Sequence, residues 1–110
     1  MTSRVHLDRV PALVAVIAVA TAVTFWPALR VPFFFDDLGD IVANPDIRQL
    51  WPPGWLTAGP PHSNALAGRP VSALSFALVY AIAGQAPVAQ HAVNLLLHGL
   101  AALLLFDLVR

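Results

Sequence analysis

The chain has 110 residues, of which 58% are hydrophobic and 11% charged, and its six basic and six acidic residues cancel to zero net charge. Soluble domains carry about a quarter charged residues, so this composition favours a membrane protein. A balanced charge argues against nucleic-acid binding, which needs a basic surface. The absence of cysteine excludes a disulfide scaffold, a thiol nucleophile and a cysteine-based metal site.

The first part of the sequence predicts a membrane-spanning helix. After a short polar segment at 1–9, residues 10–29 carry no formal charge, and a helix of about 20 residues crosses the hydrocarbon core. Arg4 and Arg9 precede this span, so the positive-inside rule predicts a cytoplasmic N-terminus. The alternative is a signal peptide cleaved near 18–22, which would release a secreted protein. The apolar run continues well past that site and favours a retained helix.

A loop at 30–87 follows, and we predict that it is extracytoplasmic. Residues 30–70 hold seven of the twelve charges. A long helix is excluded there by four prolines, Pro52, Pro53, Pro60 and Pro61. Short helices are predicted at about 36–43 and near 46–51.

The rest of the chain predicts a second crossing. No residue from 71 to 106 is formally charged, a stretch too long for one spanning helix. The sequence Gly84-Gln85-Ala86-Pro87 breaks it. We therefore predict an interfacial helix at 71–83 and a second transmembrane helix at 88–109, which returns the C-terminus to the cytoplasm.

The loop opens with Phe33-Phe34-Phe35-Asp36-Asp37, three aromatic residues followed by two adjacent carboxylates. The rings are expected to bury at the membrane interface and to hold Asp36 and Asp37 within reach of a lipid-borne substrate. A carboxylate there can serve as a general base or bind a divalent cation. The simpler alternative is an aspartate pair that caps a short helix. Asn44-Pro45-Asp46 is interpreted as a turn and helix cap.

Arg69, in Gly68-Arg69-Pro70, is the candidate phosphate-binding residue of the loop. A guanidinium binds a phosphate group through two parallel hydrogen bonds. Contact with lipid headgroups, or an ion pair with Asp36 or Asp37, would explain this arginine equally well.

Three polar residues, His91, Asn94 and His98, fall within about 60° of arc on one face of the second predicted span. Polar side chains in a span face protein or a water-filled cavity, so this face is predicted to hydrogen-bond to another helix. The two histidines are seven residues apart, whereas histidines that bind one metal ion from a single helix are about four apart.

Taken in order, these residues form a pattern that resembles one family. The series resembles the N-terminal region of the transmembrane and tetratricopeptide-repeat-containing O-mannosyltransferases and their bacterial relatives, which are integral-membrane glycosyltransferases of the GT-C class. The matching positions are Phe35-Asp36-Asp37, Ile41, Asn44-Pro45-Asp46-Ile47, Leu50, Arg69-Pro70, Leu74, Phe76, Tyr80, Gly84, Pro87, His91 and Val93-Asn94-Leu95-Leu96-Leu97-His98.

The resemblance implies an all-α membrane fold, with two transmembrane helices joined by an extracytoplasmic loop that carries short interfacial helices. It implies transfer of a sugar, with mannose as a candidate, from a polyprenyl-phosphate donor to a hydroxyl of a protein or glycan acceptor. Asp36 or Asp37 would be the catalytic base or a ligand for a divalent metal, and Arg69 would bind the donor phosphate or shape the loop. His91, Asn94 and His98 would belong to a second-span signature.

The family pattern extends beyond this sequence, because such enzymes have more spans and carry tetratricopeptide repeats. We therefore expect a fragment of a longer chain that is inactive alone. The bias towards Ala, Arg and Pro is typical of GC-rich bacterial genomes, which predicts a location in the bacterial inner membrane. The competing hypothesis is a small two-span protein, not an enzyme, that acts by helix association through the face at 91, 94 and 98. Such a protein has no need of the acidic loop at 36–46.

Overall fold

The computed structural model describes residues 9–57, 66 and 68–110, and it is built from helices. Helix α1 spans Val10–Phe25 and continues as a 3-10 helix at Trp26–Arg30. A π-helical turn at Leu38–Val42 is followed by α2 at Gly54–Thr57, α3 at Pro70–Ala83 and α4 at Pro87–Val109. The described residues contain no β-strand. The predicted all-α class is therefore confirmed.

Two helical segments are long and apolar enough to cross a membrane. They are Val10–Arg30, with 21 residues, and Pro87–Val109, with 23 residues. None of the most apolar stretch of either segment is buried inside the protein. Soluble proteins rarely expose so large an apolar surface to water. These two helices indicate a membrane protein. The predicted N-terminal segment 1–9 lies, except for Arg9, outside the described residues.

The chain divides into two compact units, which we name the membrane unit (residues 1–29 and 91–110) and the loop unit (residues 30–90). In the membrane unit, α1 and α4 approach closely at a small residue, because a Cβ on Gly99 would lie 3.8 Å from the Thr21 methyl group. The Phe25 and His98 rings meet edge to face, with centroids 4.7 Å apart. Close approach at small residues is typical of helix packing in lipid.

The loop unit has a small hydrophobic core of its own. The core consists of Ile41, Ile47, Leu66, Ala73 and Ala77, with Phe33, Trp55 and Phe76 packed against it. Helix α3 supplies its two alanines one turn apart, on the same side of the helix. The loop between the two predicted spans is therefore a folded unit with a specific interior.

Glycine and proline set the boundary between α3 and α4. Gly84 has a φ of +62°, which ends α3, and its N–H donates to the Tyr80 carbonyl at 2.8 Å. This backbone conformation suits glycine because residues with a side chain rarely adopt a positive φ. Pro87 then begins α4, where its missing N–H costs no helical hydrogen bond.

One local element differs from the sequence-based expectation, and a second is present with an unexpected helical geometry. In place of a helix near 46–51, the chain makes a single turn in which the Arg48 N–H donates to the Pro45 carbonyl at 3.2 Å. The next segment reaches Pro52 through a cis peptide bond after Trp51, and prolines do not continue a helix. The helix expected at about 36–43 is present at 36–42, and its main part is the π-helical turn at Leu38–Val42.

Candidate functional site

The acidic pair lies in a tight turn that immediately precedes the π-helical turn. The Asp37 N–H donates to the Phe34 carbonyl at 3.1 Å, and the Leu38 N–H donates to the Phe35 carbonyl at 3.2 Å. Phe35 has a φ of +53°, a left-handed conformation that few bulky residues adopt. These hydrogen bonds fix the backbone on both sides of Asp36.

The two adjacent aspartates occupy different environments. The Asp37 carboxylate is half-buried and its Oδ2 accepts the Phe34 N–H at 3.2 Å. Asp37 stands at the N-cap position of the π-helical turn, but its side chain makes no cap hydrogen bond there. Its carboxylate is therefore used to close the preceding turn.

Asp36 is exposed, and its carboxylate forms no hydrogen bond or ion pair with the described residues. An unpaired, solvent-facing carboxylate keeps both oxygens available to a ligand or a proton. The simple expectation of a helix-capping pair thus fits neither side chain, because Asp37 closes a turn and Asp36 points to solvent.

A buried asparagine organises the segment behind the acidic turn. Asn44 is 2% exposed; its Nδ2 donates to the Asp40 carbonyl at 3.1 Å and its Oδ1 accepts the Asp46 N–H at 3.0 Å. The turn predicted for Asn44-Pro45-Asp46 is therefore present, with the asparagine side chain at its centre. The predicted helix cap is wrong, because no helix follows this turn directly. On either side of this turn, Ile41 and Ile47 enter the core of the loop unit.

A carbonyl group that the sequence did not single out receives two side-chain donors. The Val42 carbonyl accepts the Arg48 Nη2 at 2.8 Å and the Gln85 Nε2 at 2.9 Å. Gln85 lies between α3 and α4, so its bond joins the acidic segment to the end of α3. The sequence shows Gln85 as the polar residue of Gly84-Gln85-Ala86-Pro87, but it does not indicate that the Val42 carbonyl is the hydrogen-bond partner of Gln85.

Arg69 precedes α3, and its N–H donates to the Leu66 carbonyl at 3.0 Å. The side chain is exposed and forms no ion pair with Asp36, Asp37 or any other described residue. Its guanidinium therefore keeps all five N–H donors for solvent or a ligand.

The three polar residues of the second span differ in their surroundings within α4. His98 is exposed, apart from its edge-to-face contact with the Phe25 ring. Asn94 is exposed, and His91 is half-buried. The described residues contain no group of three histidine, aspartate or glutamate side chains able to hold a metal ion.

These features define an α-helical membrane protein with a folded acidic loop, and one similarity to a known protein agrees with that class. The chain is 37% identical over 99 residues to Protein O-mannosyl-transferase TMTC1 of Mus musculus. The aligned part covers 83% of this chain and 10% of the mouse protein, so the chain spans about a tenth of that relative. No protein-family model matches the chain, and no solved structure matches it.

Proposed function

We propose that this chain is the N-terminal part of a membrane glycosyltransferase, and that its acidic loop takes part in sugar transfer from a polyprenyl-phosphate donor. The observation that carries the proposal is the exposed Asp36 carboxylate, held in a hydrogen-bonded turn five residues before the buried Ile41. The likeness to the mouse O-mannosyl-transferase supports it. Mannose is the first sugar to test.

In the proposed reaction an acceptor hydroxyl attacks the anomeric carbon of the donor sugar. The new bond joins the hydroxyl oxygen to that carbon, and the bond from the carbon to the phosphate oxygen breaks. The polyprenyl phosphate leaves with the bonding electrons. Asp36 takes the hydroxyl proton, a role for which a positioned carboxylate is suited. The reaction takes place on the extracytoplasmic side, where the topology prediction puts the loop.

Arg69 is assigned to the phosphate of the donor in this proposal. Negative charge grows on the phosphate oxygens as the sugar departs, and a guanidinium with unused donors stabilises that charge. Asp37 is assigned a positioning role, because its carboxylate holds the turn that presents Asp36.

The test compares Asp36→Asn with Asp37→Asn in the full-length protein, assayed in membranes for transfer of mannose from polyprenyl-phosphate mannose. An amide cannot take the proton, so Asp36→Asn should lower the transfer rate by about 10²- to 10⁴-fold. In Asp37→Asn the amide oxygen still accepts the Phe34 N–H, and most activity should remain. Membrane levels of both variants should match that of the unaltered protein.

Two results would contradict the assignment. Full activity in both variants would remove the loop carboxylates from the reaction. Loss of activity in Asp37→Asn alone would exchange the roles of the two residues. Asp37→Asn removes only the charge, whereas Asp37→Ala also removes the acceptor for the Phe34 N–H. Comparison of these two variants separates the effect of the Asp37 charge from that of its hydrogen bond.

A second candidate function is helix association by a non-enzymatic protein. The observation that favours it is an open apolar groove in the membrane unit, lined by Ala18, Thr21 and Ala22 of α1 and by Leu95, Leu96 and Gly99 of α4. Small residues in such a groove admit another helix at close range. In this case Ala18→Leu, which would fill the groove with a larger side chain, should weaken self-association in detergent, whereas Asp36→Asn should leave self-association unchanged.

A further inference from the structure

The acidic turn exposes three apolar side chains. Phe34, Phe35 and Leu38 are 72%, 76% and 52% exposed, and we name them the aromatic patch. The Phe34 and Phe35 ring centroids lie 6.2 Å apart. Leu38 belongs to the same turn, because its N–H donates to the Phe35 carbonyl.

Phe33 does not belong to this patch. It packs against the core of the loop unit, so the turn separates one aromatic residue that faces the core from two that face away. The left-handed backbone at Phe35 and the hydrogen bonds around it maintain this arrangement. Phe33 therefore does not fit the expectation that all three rings lie at the membrane interface, and only Phe34 and Phe35 remain candidates for it.

The position of the patch along the chain limits what can cover it. The first spanning segment ends at Arg30, and Phe34 lies four residues later. Even a fully extended chain of that length reaches at most about 14 Å. The headgroup region adds about 5–8 Å to each side of the hydrocarbon core, so lipid is within reach of the patch. Phenylalanine and leucine are typical of protein surfaces that insert at the interface.

We propose that the aromatic patch inserts into the lipid interface and anchors the acidic turn at the depth of the headgroups. The Phe34 N–H bonds to the Asp37 carboxylate, so the anchor and the acidic pair form one hydrogen-bonded turn. The anchoring does not depend on the proposed transfer reaction, and it holds for any function of the loop.

The test uses single cysteines, which this cysteine-free chain allows without removing native thiols. A nitroxide is attached at Phe34→Cys, Phe35→Cys or Leu38→Cys in the chain reconstituted into vesicles of phosphatidylcholine with a minor fraction of phosphatidylglycerol. Collision with oxygen, which concentrates in lipid, is compared with collision with a water-soluble nickel chelate. Val19→Cys, on the exposed surface of α1, is the lipid control, and Gln49→Cys, exposed in the loop unit, is the water control.

The ratio of oxygen to nickel collisions should be several-fold higher at all three patch positions than at Gln49→Cys, and it should approach the value at Val19→Cys. A ratio equal to that at Gln49→Cys would overturn the proposal. Shielding from both reagents would also overturn it, because a protein surface would then cover the patch.

Labels at positions 34 and 35 replace the aromatic rings themselves. A second measurement therefore tests whether the two rings hold the turn in the lipid. With the label at Leu38→Cys, the added pair Phe34→Ser and Phe35→Ser should move the collision ratio several-fold towards water. Circular dichroism should show unchanged helix content. An unchanged ratio at position 38 in folded protein would contradict anchoring by the two rings.

Discussion

The membrane unit and the loop unit use apolar residues in opposite ways. In the membrane unit none of the most apolar stretch of either spanning segment is buried inside the protein, because lipid takes the place that a protein interior has elsewhere. In the loop unit a few side chains, among them Ile41 and Ile47, are buried almost completely. Water drives burial only in the second case, so a hydrophobic core of almost completely buried side chains is a property of the loop unit.

This difference explains where a chemical site can form. Asp36 and Asp37 lie in a turn that is closed by hydrogen bonds and preceded by Phe33, which packs against the core, whereas Asn94 and His98 are exposed on α4. A site needs its reactive group held by packed and hydrogen-bonded neighbours. The loop unit satisfies this requirement, and three substitutions test the contrast between the units.

The largest effect is expected for Ile47→Ala. Ile47 is 0% exposed, and truncation of a buried isoleucine costs about 2–5 kcal/mol. Hydrogen exchange of the amides at 38–50 should become roughly 30-fold faster or more, the factor that corresponds to about 2 kcal/mol. The matched control is Val23→Ala in α1, whose side chain is 69% exposed and leaves no protein cavity. If both substitutions accelerated hydrogen exchange at 38–50 equally, the proposed distinction between the two units would be wrong.

A smaller effect is expected for Asn44→Ala. The substitution leaves the Asp46 N–H and the Asp40 carbonyl without their side-chain partner, and a buried polar group without a partner costs about 1–3 kcal/mol. Proteolysis of the loop should accelerate in reconstituted protein. Asn94→Ala, at an exposed asparagine of α4, should change the rate little. An unaffected Asn44→Ala variant would show that water replaces both bonds.

The smallest effect is expected for Gln85→Glu. A carboxylate cannot donate to the Val42 carbonyl, but Arg48 still does, so the loss should be about 0.5–1.5 kcal/mol. Hydrogen exchange at 38–44 should rise modestly while α4 stays protected. Gln49→Glu makes the same change of charge at an exposed glutamine and should leave that exchange unchanged. Faster exchange in both variants would show that the added negative charge, and not the lost hydrogen bond, causes the effect.

The sequence by itself determined the all-α membrane class, because hydrophobic stretches of fixed length and the thickness of a bilayer are both readable along the chain. The turn at Asn44-Pro45-Asp46 was readable for a similar reason, since an asparagine closes such a turn with atoms of its nearest neighbours. The helix expected near 46–51 was wrong, because the Asn44 side chain and the prolines after Trp51 favour a turn over a continued helix.

Only the tertiary structure distinguished Asp36 from Asp37 and found the donors on the Val42 carbonyl. Adjacent aspartates have the same composition and local pattern, and a hydrogen bond to one carboxylate depends on the fold of the Phe34–Leu38 turn. Gln85 is 43 residues from Val42 in sequence, and no local periodicity relates residues so far apart. Their contact exists because the core around Ile41 and Ile47 brings the acidic segment to the end of α3, which is a result of packing.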